Sequence, residues 1–218
     1  MKHLFVSILL FLFYLSSFSQ ENNSEKLYNF RVGVRLGTSI TKINKISNSN
    51  YFSLWQLDPI GQPGINIATP ITFDINEKLA AQPELIASMS IFDHPDLDPL
   101  GNSVQGQLRR KLFYFNLPLL INYKILSDKI SFQVGPQASF LISNKLSESS
   151  ITTSPILYPV FENKVLYSAL GGIQLNFKTL FISGRYELGF SRLDQKDQWH
   201  GYSFKQNSIH FSVGYIIF

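Results

Sequence analysis

Cysteine is absent from the 218 residues. Disulfides, thiolate metal centres and a lipid anchor on a cysteine are therefore excluded, while the compartment is left open. Charge is scarce as well. Asp, Glu, Lys and Arg make up 16% of the chain, against about a quarter in an ordinary soluble domain. The net charge of +4 comes from scattered residues. No Lys/Arg-rich run tracks a phosphate backbone, so nucleic acid is not an expected partner. Beyond residue 20 no apolar run reaches the about 20 residues that a membrane-spanning helix needs. Walker, dinucleotide, zinc and G-x-S-x-G patterns are all missing. No catalytic residue and no cofactor are assigned.

Aromatic residues are what the chain has in excess, with 19 Phe and 10 Tyr. A chain rich in these and poor in charge suits a surface that faces something other than water. The N-terminus has the three-part layout of a secretory signal. Met1-Lys2-His3 is positive, Leu4 to Leu15 is apolar apart from Ser7, and Ser16-Ser17-Phe18-Ser19-Gln20 is small and polar. The apolar run is too short to span a membrane comfortably. Residues 1–20 are read as a signal peptide cut near Ser19 or Gln20, and residues 21–218 as one domain.

That domain alternates with period two, the pattern of a strand with unlike faces. Val32, Val34, Leu36 and Ile40 oppose Arg31, Gly33, Arg35 and Ser39. Ile65, Ile67, Ile71 and Phe73 oppose Asn66, Ala68, Thr72 and Asp74. The same holds for Leu79–Ile91, Phe113–Tyr123, Ile130–Ser143, Val165–Phe177, Leu180–Ser191 and Ser208–Ile217. Eight such segments, about 10 to 14 residues each, match the about 9–11 residues of a membrane-crossing strand better than the about 5–6 of a soluble one.

The connections alternate too. Those near 76–78, 126–128 and 177–179 are tight, and those near 41–61, 93–108, 144–163 and 193–206 are long and polar. Short periplasmic turns and long outer loops are the habit of outer-membrane barrels. The expected fold is an all-β, eight-stranded antiparallel up-and-down transmembrane barrel in the outer membrane, with lipid as its surroundings.

The polar face is rich in Gly, Ser, Asn and Gln and carries few charges of both signs. Small residues with sparse charges suit the interior of an eight-stranded barrel, which is only wide enough for side chains to fill it. Arg31, Arg35 and Arg185 are expected to pair there with Asp74, Glu84 and Glu187, because buried charges must be compensated. The lumen would then be narrow or plugged. Phe30, Phe73, Tyr123, Phe177, Phe190 and Tyr215, near strand ends on the apolar face, are candidates for the interfacial aromatic girdle.

Two weaker constellations remain. Asp93, Asp96 and Asp98 form an acidic cluster that could hold Ca²⁺ through carboxylate oxygens. It lacks the glycine and closing glutamate of a calcium loop, so a solvated outer loop is the plainer reading. His200 with Asp194 or Asp197 and a loop serine could be drawn as a membrane hydrolase, although no spacing requires it. A soluble periplasmic barrel with an apolar cavity is the other alternative, since lipocalin-like barrels show the same alternation with the faces exchanged.

Five segments, in order, resemble strand motifs of the PorT-like outer-membrane barrels of the Bacteroidota, a group also labelled "porin family". They are Phe30–Gly37 (FRVGVRLG), Leu79–Leu85 (LAAQPEL), Phe115–Tyr123 (FNLPLLINY), Phe132–Gln137 (FQVGPQ) and Leu180–Gly189 (LFISGRYELG). The resemblance spans about residues 28–218. It implies an outer-membrane barrel and, through PorT itself, a link to secretion across that membrane. It implies no common activity. The long loops are expected to engage another envelope protein or a polysaccharide, since binding residues tend to sit on loops held by a rigid scaffold.

Two features depart from the pattern. Phe218 falls one residue out of step with Tyr215 and Ile217. Pro70, Pro83, Pro118 and Pro136 fall inside predicted strands, where a closed barrel needs every donor. They are read as bulges near strand ends.

Overall fold

A computed structural model describes residues 30–47, 60–97, 103–126, 129–148, 163–193 and 202–217. Eight strands follow one another: β1 (Phe30–Ser47), β2 (Ile60–Asp74), β3 (Leu79–Leu97), β4 (Ser103–Ile125), β5 (Ile130–Glu148), β6 (Val165–Phe177), β7 (Leu180–Gly189) and β8 (Tyr202–Ile216). Each pairs antiparallel with its neighbours in chain order, and β1 closes on β8. Closure leaves no edge, which is the condition for strands to cross hydrocarbon. The closing ladder is unbroken from Gly33↔Ile216 to Ser47↔Tyr202.

Side-chain parity assigns the faces. Leu36, Ile67, Leu119, Ile182 and Phe211 are exposed on the outside, whereas Arg35, Glu84, Arg185 and Glu187 are buried within. A soluble barrel would have the opposite arrangement, so the periplasmic, ligand-cavity alternative is excluded. Phe73, Tyr123, Phe177 and Tyr215 are exposed at the short-turn end, where Phe30 leans on Phe73 with ring centroids 5.3 Å apart. Phe190 lies at the other end, just past β7.

The tight connections have local causes. Asn76 Oδ1 accepts the backbone N–H groups of Lys78 and Leu79 at 2.9 and 2.8 Å and so shapes the β2–β3 turn. Leu126 and Lys178 take positive φ values of 51° and 49° in the next two turns. At the opposite end the strands run further than the pattern predicts. The connection expected over 93–108 is mostly strand, because β3 continues to Leu97 and β4 begins at Ser103. Bulges near Gln62/Ile65, Phe113/Tyr114 and Pro95/Leu97 shift the register at this end and hide the alternation there.

The prolines are not bulges, which corrects the expectation. Pro70, Pro83, Pro118 and Pro136 all sit within strands whose register is unchanged across them. Each is bridged on one side only: Pro70↔Glu84, Pro83↔Leu119, Pro118↔Gln137 and Pro136↔Ala169. On the other side two successive pairs lapse, as between Val32↔Ile71 and Arg35↔Ala68. The missing proline N–H explains the lapse, and the neighbouring pairs hold the register. The four lapses step from strand to strand as one diagonal seam from β1–β2 to β4–β5.

Candidate functional site in the barrel interior

The inward face of each strand sets the contents of the lumen in layers. At the short-turn mouth, Asp74 receives Arg31 at 3.0 Å and Lys124 at 2.9 Å. Above it lies a belt of amides. Asn122 and Gln133 both donate to Gln82, which donates in turn to Glu84, and Gln133 donates to Gln174 at 2.9 Å. Phe181 closes this level on one side. Its ring fills the space that Gly214, its cross-strand partner, leaves open: a Cβ on Gly214 would come within 2.1 Å of it.

The next layer is an Arg–Glu–Arg triad. Arg185 places Nη1 and Nη2 at 2.8 Å from the two oxygens of Glu84, and Arg35 approaches the same carboxylate at 2.9 Å. Arg185 Nε donates to Gln133 at 2.7 Å. The Glu84 side chain has no exposed surface. An unpaired charge at this depth would cost several kcal/mol, on the order of what a whole domain can spare. Glu187 does not join the arginines. Gln137 donates to it at 2.9 Å and His210 Nε2 lies 3.0 Å away. Sequence reading missed His210 because a lone histidine on a polar face carries no partner signal. In the structure Glu187 and His210 lie on adjacent strands, two residues out of direct register.

Sequence reading also missed the far end of the lumen. Ile43, Phe92, Leu112, Tyr114, Leu166 and Leu193 form a buried apolar cluster against which Leu141 packs. It lies at the end where the long connections leave the barrel. The strand residues among them share the inward face with the polar ones, so the alternation of hydropathy fails where they occur; Leu193 follows β7 and folds over the same end.

The acidic constellation changes character. Asp93 belongs to β3 and is buried, and Arg109 Nε and Nη2 meet its two oxygens at 2.8 and 3.1 Å. These bonds, beyond the apolar band, raise the Arg109 pKa further above its ordinary value. The carboxylate is engaged by a cation rather than left open as a ligand. Asp96 lies on the backbone of β3, and Asp98, His200, Phe218 and residues 1–20 lie outside the described residues.

A closed antiparallel cylinder with lipid-facing apolar residues and a polar filling defines an outer-membrane barrel. The chain belongs to the family described as outer membrane protein beta-barrel domain, whose model matches residues 18–195, and it is a protein of the outer membrane. Among solved structures it is similar in fold to the attachment invasion locus protein Ail of Yersinia pestis, at 12% identity and a TM-score of 0.43, covering 86% of this chain and 98% of that one. It is also similar to Neisserial surface protein A, at 10% identity and a TM-score of 0.48, covering 84% and 96%. Another structure of Ail, in complex with the heparin analogue sucrose octasulfate, matches at 11% identity and a TM-score of 0.43, covering 87% and 99%. No curated protein matches the chain.

Proposed function

We propose that this protein is a non-enzymatic, non-conducting scaffold of the PorT-like group, exported by a signal peptide over residues 1–20. Its long connections would capture another envelope protein or a polysaccharide during assembly or secretion at the cell surface. In this reading Arg31, Arg35, Asp74, Glu84, Arg185 and Glu187 are structural: they fill and brace the cylinder. The observation that carries it is the lumen, which holds the Glu84 triad at its middle and the Phe92–Leu112 cluster at its outer end. A barrel filled in this way offers its ends, rather than a channel, to partners. The wall supports the same reading. On β1 the outward position after Ile40 is the exposed Lys42, and the strand runs on to Ser47, so the wall continues past its first outward charge.

Planar-bilayer recording of the refolded barrel tests the closed lumen, and a large steady conductance would refute it. Crosslinking in intact cells tests the connections. Deletion of 48–59 or 149–162 should abolish capture of a partner while the barrel still folds, and unchanged capture would refute the loop assignment.

A further inference from the structure

The outer surface of the long-connection end carries a row of cations that the lumen does not use. On β4 the outward residues pass from Phe113 to Lys111 and Arg109 in two steps. Lys145 of β5 stands directly opposite Lys111 in the register, two pairs beyond Phe113↔Ser143. Like charges directly opposed on one face of a sheet repel and destabilise the pair. Among the described residues neither lysine forms an ion pair. Among the described side chains the carboxylate beside them is Asp93, which Arg109 takes in a two-point contact. Among the described side chains, three cations therefore face one anion, and the two lysines are left without a counter-charge.

Its height gives the excess a meaning. Phe113, Phe115 and Leu117 below it face the hydrocarbon, so the ammonium groups stand at the headgroup level of the leaflet on the long-connection side. In outer-membrane barrels that side is the cell surface. We infer that Arg109, Lys111 and Lys145 form a binding site for a phosphate group of an outer-leaflet glycolipid, with the lipid's acyl chains lying along Phe113 and Phe115. Ammonium groups bind phosphate through short, charge-assisted hydrogen bonds, and a phosphate seated between the two lysines turns their repulsion into attraction. The Arg109–Asp93 pair fixes one side of the site. The inference does not depend on whether the lumen conducts or on what the long connections capture.

The test is native mass spectrometry of the detergent-folded full barrel with bis-phosphorylated lipid A, dephosphorylated lipid A and phosphatidylethanolamine. The wild type should retain the phosphorylated lipid at least about tenfold better than the other two, the scale of one lost charge-assisted contact. Lys111→Gln/Lys145→Gln should remove that preference. Lys129→Gln/Lys178→Gln, at the short-turn end, should leave it intact. Gel mobility before and after heating shows that each variant is folded. Equal retention of phosphorylated and dephosphorylated lipid would overturn the inference, since only the apolar belt would then be binding. Unchanged retention in the Lys111/Lys145 variant would overturn it too, because the phosphate would then be held elsewhere. Complete displacement by millimolar inorganic phosphate would assign the site to a free anion and overturn the lipid assignment.

Discussion

Arg185 and Glu84 meet across the barrel through two hydrogen bonds of 2.8 Å although 101 residues separate them in the chain. The room for this contact comes from a third strand. Gly172 of β6 is the cross-strand partner of Arg185, and a Cβ there would lie 2.7 Å from Arg185 Cγ. A small residue in the wall thus sets the path of a long one through the lumen.

Removal of Glu84 should be the costliest single change in the interior. Glu84→Ala leaves Arg35 and Arg185 facing each other without a counter-ion, and stability should fall by about 3–5 kcal/mol. Replacing all three, as in R35M/E84L/R185M, should recover most of that loss, because an apolar filling of similar volume is often as stable as a buried ion cluster. Urea titration of the lipid-folded barrel, followed by gel mobility, measures both. Unfolding of E84A at the wild-type urea concentration would contradict the burial argument.

The Phe181–Gly214 contact gives a second expectation. Gly214→Val forces the ring out of its seat and should cost about 1–3 kcal/mol, the usual range for overpacking. Phe181→Leu in the same chain should restore part of it, and a double-mutant cycle from urea titrations measures the coupling.

At Lys178 the sign should reverse. Its φ of 49° is left-handed, where an L side chain is strained. Left-handed backbone costs a non-glycine residue about 1–2 kcal/mol. Lys178→Gly should therefore be neutral or stabilising by up to about 1 kcal/mol once the entropy of the freer unfolded chain is included. A midpoint shifted to lower urea would show that this turn depends on the lysine side chain.

Leu119 lies midway along the outward run from Phe113 to Tyr123 and is half-exposed to lipid. Leu119→Arg should destabilise the folded barrel by about 2–4 kcal/mol in bilayers, the cost of that residue near a bilayer midplane. Leu126→Arg, in the turn below, should cost less than about 1 kcal/mol by the same depth dependence. Equal costs at both positions would mean that the apolar face does not meet hydrocarbon.

The wall was legible in the sequence because one physical rule writes it: neighbours on a strand point opposite ways, and lipid selects one set. Ile67 and Asn66, or Leu119 and Leu120, show both the strength and the limit of that rule. The first pair announces its faces. The second does not, because Leu120 is apolar and yet fully buried inside. Wherever the filling turns apolar, at Phe92, Leu112 or Phe181, inner and outer residues look alike and the pattern goes silent. Partner choice was legible only in part. Parity places Arg35, Glu84 and Arg185 on one face, but which charge reaches which depends on barrel stagger. That left Glu187 with His210, and the strand-borne Asp93 with Arg109, outside the reach of one-dimensional reading. The prolines misled for the same reason. A lone residue without a donor looks like a break, whereas a row of them shared across adjacent strands is a property of the cylinder.

That diagonal row makes the two halves of the cylinder unlike. From β5 through β8 and back to β1 the ladders run without a gap, whereas each junction from β1 to β5 is missing two rungs at its middle. Backbone groups facing the prolines lack their ladder partner, so amide exchange at mid-barrel depth is expected to begin in that half of the wall.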